Sequence, residues 1–323
     1  MRPDYRPPWW YRGRHLQTLW GPLLRRGPRP ALRRERVEMP DGDFLDLDWL
    51  AGCEGGVPLV VILHGLEGSS RSHYAAGLLR ELAQVGWRGL VVNFRGCSGE
   101  INRSRRMYHS GDTRDLDFVL ARLAAREPQL RLGLVGVSLG GNVALKWLAE
   151  QGDQAPAQVA GAVAISAPFN LAACACALDR GLNRALYTAN FLSTMKVKLD
   201  KKAALYEGVI NLTAARKAKT FAQYDRLVTA PLGGFASERD YWARSSSGPL
   251  LPQIRRPTLL INALNDPFMP ASALPRALIA KSRWLEAAFV PEGGHAGFLQ
   301  GASGARSWAE ARAVEFLRRH LIG

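Results

Sequence analysis

Six short apolar runs punctuate the chain: Leu59–Leu63, Gly89–Asn93, Arg131–Val135, Val159–Ser166, Pro257–Asn262 and Leu285–Val290. Each has the length and side-chain character of a core strand. Amphipathic helical stretches separate them, near Tyr74–Val85, near Asp112–Ala125 and directly after Ser138. Arg36–Glu38 and Phe44–Leu50, joined across Pro40-Asp41-Gly42-Asp43, read as an opening hairpin. Alternation at this spacing predicts an α/β fold, a mostly parallel central sheet with helices on both faces. In such a sheet the ligand site lies beyond the carboxyl ends of the strands.

After Val159–Ser166 the rhythm lapses for roughly ninety residues, too many for a bare loop in a compact domain. Helical patterns such as Leu182–Lys198 and Phe221–Leu227 fill the gap. The expected organisation is therefore a basic, aromatic arm (1–36), a core (37–168 and 257–323) and an inserted helical cap (169–256). Phe169, Phe191, Leu192, Tyr206 and Phe221 fit either a ligand pocket or the cap's own small core. Gly233-Gly234 and Ser247-Gly248 read as flexible joints.

The chemistry enters at Gly136-Val137-Ser138-Leu139-Gly140, the one G-x-S-x-G of the chain. An apolar strand that runs into this pentapeptide and resumes as a helix is a nucleophile elbow, which lifts the serine hydroxyl clear of the sheet. Gly136 and Gly140 stand where side chains would crowd the turn. A serine hydroxyl is a weak nucleophile at neutral pH and needs a base, itself oriented by a carboxylate. Both follow in the order the elbow requires. Asp266 comes just after the strand-like Thr258–Asn262, and His295 just after Leu285–Val290, behind Gly293-Gly294.

Rival groups fit less well. His73 and His109 precede the serine, His15 lies in the arm and His320 in a terminal amphipathic helix. The side chain of His64 reads as bonded to nearby backbone. Asp225 and Asp240 lie outside the strand rhythm and read as solvated surface. An oxyanion hole needs two N–H donors. Leu139 follows the nucleophile, and Leu66 lies in His64-Gly65-Leu66-Glu67-Gly68, the loop after an early strand; their backbone N–H groups are the candidates. Cys97 and Ser98 read as a rigid turn, and Arg95 as bracing the same loop or orienting substrate.

Charge changes the picture at the edges. The formal net charge is +15, with +8 in residues 1–36 and +8 in residues 169–256, so the remainder is close to neutral. Nucleic acid is a general partner for basic surfaces, but no motif for it is present and none is expected. The arm mixes Arg with Tyr5, Trp9, Trp10, Tyr11 and Trp20. It either packs across the core or touches an anionic membrane surface. Pro3, Pro7 and Pro8 interrupt it, and no apolar leader follows, so no signal peptide is expected. Residues Val159 to Leu178 lack charge, but Pro168 and Asn170 argue against a membrane span. Cys53, Cys97, Cys174 and Cys176 form no disulfide or zinc pattern. Free thiols in a reducing, cytoplasmic setting are the expectation.

Nearly the whole chain resembles the YheT-like family of α/β-hydrolases, bacterial relatives of the ABHD esterases and lipases. The resemblance is carried by Pro7-Pro8-Trp9-Trp10, His15-Leu16-Gln17-Thr18, His64-Gly65-Leu66-Glu67-Gly68, Asn93–Gly99, Tyr108–Thr113, Ala230-Pro231-Leu232, Asp266-Pro267-Phe268 and Gly293–Phe298. It implies the α/β-hydrolase fold and a serine esterase or lipase acting on acyl esters, with Ser138, Asp266 and His295 as its triad. Departures are Asn265, where the family often has a second acid, and Gly233, where a histidine is expected after Pro231-Leu232. No metal or organic cofactor is called for. Two other readings share the same residues: transfer of the acyl group to an alcohol, and a non-catalytic binding protein on the hydrolase fold.

Overall fold

The computed structural model describes residues 4–25, 27–52 and 55–322; Cys53 lies outside them. Eight strands form one sheet: β1 (Leu32–Glu38), β2 (Phe44–Leu50), β3 (Leu59–Leu63), β4 (Arg88–Asn93), β5 (Leu132–Val137), β6 (Val159–Ile165), β7 (Thr258–Ala263) and β8 (Leu285–Val290). Their spatial order is β1-β2-β4-β3-β5-β6-β7-β8. β2 pairs antiparallel with both β1 and β4, and every pairing from β4 to β8 is parallel. The longer helices are α1 (Arg14–Leu24), α2 (His73–Gln84), α3 (Arg114–Arg126), α4 (Leu139–Gln151), α5 (Leu171–Leu178), α6 (Ala189–Lys201), α7 (Glu238–Ser245) and α8 (Trp308–Leu321).

The period-2 alternation of the strands divides the interior into two cores. Val60 and Ile62 pack with Leu78, Leu79 and Leu82 of α2 and with Ala313 and Leu317 of α8. Leu59, Val61 and Leu63 face the other way, toward Leu116, Val119 and Leu120 of α3 and Val143 and Ala144 of α4. With both faces covered, β3 is apolar at every position. Each fully buried Val, Ile or Leu contributes roughly 1.5–3 kcal/mol.

β1 starts at Leu32, inside the segment expected to belong to the arm. Its charges hid it from a reading based on apolar runs. Arg34 and Arg36 reach across the hairpin to Asp48 and Asp46, and Trp49 Nε1 donates to Glu35. The arm ahead of β1 packs on the core. Tyr5 packs edge-on to Phe298 and at a tilt to Trp308, Trp10 Nε1 donates to the Ala302 carbonyl, and Arg25 donates to both carboxylate oxygens of Glu310. Trp9 alone of the arm's aromatic side chains is fully exposed, at 80%.

Residues 169–256 hold α5, α6 and α7 with several short helical turns, and a core of their own that includes Leu192, Tyr206 and Tyr224. Phe169 is not part of that core; it packs into the main one beside α4. Leu182–Lys198 is not one regular helix, because a π-helical turn at Arg184–Thr188 precedes α6. Ser247-Gly248 is pinned rather than flexible. The Ser247 N–H donates to Asn142, the Gly248 N–H donates to the Phe169 carbonyl, and a Cβ on Gly248 would meet that same carbonyl. Among the described residues no helix is long and apolar enough to cross a membrane.

Candidate active site

Ser138 occupies the single-residue junction between β5 and α4, with φ 54° and ψ −122°. That backbone region is costly for any residue with a side chain, and it persists only where the surroundings impose it. The surroundings here are backbone. The Ser138 N–H donates to the Ile165 carbonyl at 2.8 Å, and its carbonyl accepts from Asn142 at 3.1 Å. A Cβ on Gly136 would run into the carbonyl of Gly140, and one on Gly140 into that of Leu63. Only glycine at both positions lets the turn close.

The loop after β8 brings His295 to this serine. Nε2 lies 2.8 Å from Ser138 Oγ, and Nδ1 lies 2.9 Å from Asp266 Oδ2. The neutral tautomer with its proton on Nδ1 satisfies both contacts, leaving Nε2 to accept from the serine hydroxyl. Asp266, in the turn after β7, is fixed through its other oxygen. Oδ1 accepts the N–H of Phe268 at 2.7 Å and of Met269 at 3.3 Å. The Phe268 ring lies over the imidazole, centroids 4.0 Å apart.

The arm supplies a set of positioning contacts that reading the sequence did not anticipate. Gln17 is fully buried in α1 and uses its whole amide. Oε1 accepts from Asn265 Nδ2 and from the Gly293 N–H, while Nε2 donates to the Tyr11 carbonyl and to Glu292. Thr18 Oγ1 accepts the backbone N–H of His295 at 2.9 Å. Asn265 Oδ1 accepts from the Gly294 N–H. A Cβ on Gly294 would press on Gln17 and Thr18, so the histidine loop is glycine where α1 crosses it. The one available signal was a Gln-Thr pair within an otherwise aromatic and basic arm.

Leu66 and Leu139 line the same pocket as Ser138 and His295. Leu139 is the first residue of α4, so its N–H has no acceptor within the helix and sits at the positive end of the helix dipole. The loop carrying Leu66 is held on either side. Gly65 N–H donates to Tyr74 and Glu67 N–H to Tyr108, each at 2.8 Å. No partner among the described residues takes the Leu66 N–H. Glu67, at φ 57°, also receives Tyr108 O–H and Lys198 Nζ on one carboxylate oxygen. His64 is buried beneath, with Nδ1 on the Gly65 carbonyl and Nε2 accepting from Phe94 N–H. Burial pushes its pKa down to about 4, so it is neutral at physiological pH.

The remaining candidates fall as follows. Arg95 is buried in an ion cluster with Asp43 and Asp115 and braces its loop. Cys97 sits in the turn after β4, its Sγ 3.1 Å from Lys198 Nζ. Ser98 is buried, its carbonyl accepting from Arg34. His15 contacts Tyr187, and His109 packs against Phe235 and Tyr241. Asp225 corrects an expectation. It is 7% exposed and lines the pocket, because Thr229 and Trp242 fold over it and donate to its two oxygens. Asp240 stays half-buried near the start of α7.

The pocket encloses about 820 Å³ of non-atom space, part of it open to solvent. Its wall is mainly apolar; Phe191, Met195 and Phe221 come from residues 169–256 and face Leu66, Ser138 and His295 from the core. Leu192 and Tyr206 lie behind that wall.

Residues 58–302 match the family model described as the alpha/beta hydrolase fold. The chain is 38% identical to "Putative esterase YheT" of Escherichia coli (strain K12) over 95% of its own length and 91% of that protein. It is 27% identical to "Phospholipase ABHD3" of Homo sapiens, covering 91% of this chain and 73% of that one. Among solved structures it superposes on the esterase Pf2001 of Pyrococcus furiosus with a TM-score of 0.57 at 18% identity, covering 90% and 94% of the two chains. That last likeness concerns the fold.

Proposed function

This chain belongs to the alpha/beta hydrolase fold family, and on that premise we propose that it is a serine carboxylesterase using Ser138, His295 and Asp266. The observation carrying this reading is the continuous hydrogen-bonded series from Asp266 Oδ2 through the His295 ring to Ser138 Oγ, opening on an apolar pocket. The names of the two relatives above, an esterase and a phospholipase, support ester hydrolysis.

In this mechanism Ser138 Oγ attacks the ester carbonyl while His295 Nε2 takes its proton. The negative charge that develops on the carbonyl oxygen is met by the Leu66 and Leu139 N–H groups. His295 returns the proton to the leaving alcohol, giving an acyl-Ser138 ester. Water then repeats the sequence, and the acid departs. Asp266 keeps the ring in the tautomer that can accept from the serine and stabilises the imidazolium between the two transfers.

The apolar wall, with the phospholipase name of one relative, supports lipid esters as substrates. Peripheral contact with an anionic membrane belongs to the same proposal, supported by the exposed Trp9, Leu23 and Leu24 among the arginines of the arm. An ester panel from acetate to long-chain phospholipid tests the reading. Wild type hydrolyses at least one member, and Ser138→Ala loses about a thousandfold or more. Equal rates for the two proteins overturn it.

A further inference from the structure

The pocket beside Ser138 holds a carboxylate that the mechanism above leaves idle. Asp225 opens the π-helical turn Asp225–Thr229, a helix distortion that recurs at functional sites. Thr229 Oγ1 donates to Oδ1 at 2.7 Å, and Trp242 Nε1 donates to Oδ2 at 2.8 Å. A carboxylate accepts about four hydrogen bonds, so each oxygen retains acceptor capacity. Burying a carboxylate without a counter-charge is costly, and two neutral donors offset only part of that cost.

No counter-charge is supplied by the pocket. The chain carries 43 Lys and Arg against 28 Asp and Glu. Even so, no Lys or Arg is among the described residues lining this space, and Asp225 is its one acidic side chain. Asp179 and Glu238 lie close enough to add to the negative field at Asp225. Six aromatic residues line the same space, Phe221, Tyr241 and Trp242 among them. Ring faces attract cations, most strongly where water is excluded. An anionic group brought here meets repulsion with no Lys or Arg to pair with, and burial keeps the His109 of the lining neutral at pH 7, whereas a cation supplies what is missing.

We propose that Asp225 is a specificity determinant: the pocket takes esters bearing a positively charged nitrogen, which pairs with the Asp225 carboxylate against the surrounding aromatic side chains. The proposal rests on the esterase reading of Ser138 and adds a substrate class to it. Neutral esters of the same shape fill the pocket without that pairing, and esters with an anionic group in the pocket are disfavoured.

The test uses matched pairs that differ in charge and little in shape. On the acyl side these are 4-nitrophenyl 6-aminohexanoate and 4-nitrophenyl heptanoate; on the alcohol side, butyrylcholine and 3,3-dimethylbutyl butyrate. The readout is the ratio of kcat/KM, cationic over neutral, for wild type and Asp225→Asn. In at least one pair the substitution lowers that ratio by about tenfold or more, the equivalent of ~1.4 kcal/mol. Unchanged ratios in both pairs overturn the proposal. If Asp225→Asn does not fold, competitive inhibition of wild type decides: choline must bind about tenfold more tightly than 3,3-dimethylbutanol, and equal inhibition overturns the proposal. Hydrolysis of the neutral esters with no preference for cations ends this inference and leaves the Ser138 reading intact. Failure to hydrolyse any of the four ends this inference, and the wider ester panel then decides the Ser138 reading separately.

Discussion

Thr18 holds His295: its Oγ1 accepts the backbone N–H of the histidine at 2.9 Å, across 277 positions of sequence. The first helix of the chain is thus part of the frame that aims the imidazole at Ser138. Thr18→Val keeps the shape and removes the acceptor, leaving one N–H without its partner. A lost hydrogen bond of this kind costs about 1–1.5 kcal/mol, so kcat falls roughly tenfold with KM little changed. Steady-state kinetics against Thr18→Ser, which restores the acceptor, checks this. A Val variant as fast as wild type removes α1 from the account.

Lys198 reaches from α6 to Glu67, one residue beyond the proposed oxyanion donor Leu66. The pair is mostly buried, at 18% and 9% side-chain exposure. Lys198→Met leaves the Glu67 carboxylate with Tyr108 alone and frees the loop to shift. The expected outcome is a fall in kcat of about tenfold, since misplacing a donor weakens transition-state binding before ground-state binding. A rise in KM with kcat unchanged contradicts that assignment.

Acid destabilises this fold first through its buried histidines. Burial lowers the pKa of His64 and His109 to about 4 and of His73 to about 3. In the unfolded chain each titrates near 6.5. Below that pH the unfolded state takes up protons the native state refuses, so stability present at pH 7 is lost as pH falls toward 4. Asp225 works in the opposite direction. Burial raises it to about 6, and it favours the fold as pH drops from there. Burial also lowers His15 and His320 and raises Asp179 and Glu310, so five histidines oppose three carboxylates and the net is a loss, on the order of a few kcal/mol. The urea midpoint should fall between pH 7 and pH 5; a flat midpoint over that range contradicts the prediction.

Much of this was legible because the sheet is buried on both faces. β3 and β6 are apolar throughout, and such runs announce themselves in the sequence. Ser138 was legible through Gly136 and Gly140, whose neighbours leave no room for a side chain. β1 was partly hidden, since its stability comes from arginines paired across the hairpin rather than from an apolar rhythm. Gln17 and Asn265 were hidden for another reason. Each acts by accepting or donating to backbone far away in sequence, and no periodicity marks that. Asp225 looked solvated because its covering residues, Thr229 at the end of its own π-helical turn and Trp242 on α7, meet through packing that the local pattern does not specify.

The most direct measurement of the central claim is intact-mass analysis of the protein after treatment with a fluorophosphonate, followed by peptide mapping. The account predicts one adduct per chain, on Ser138, formed rapidly in wild type and about a thousandfold more slowly when His295 is replaced by Ala. An unlabelled wild-type protein, or an adduct mapped to a different residue, contradicts it.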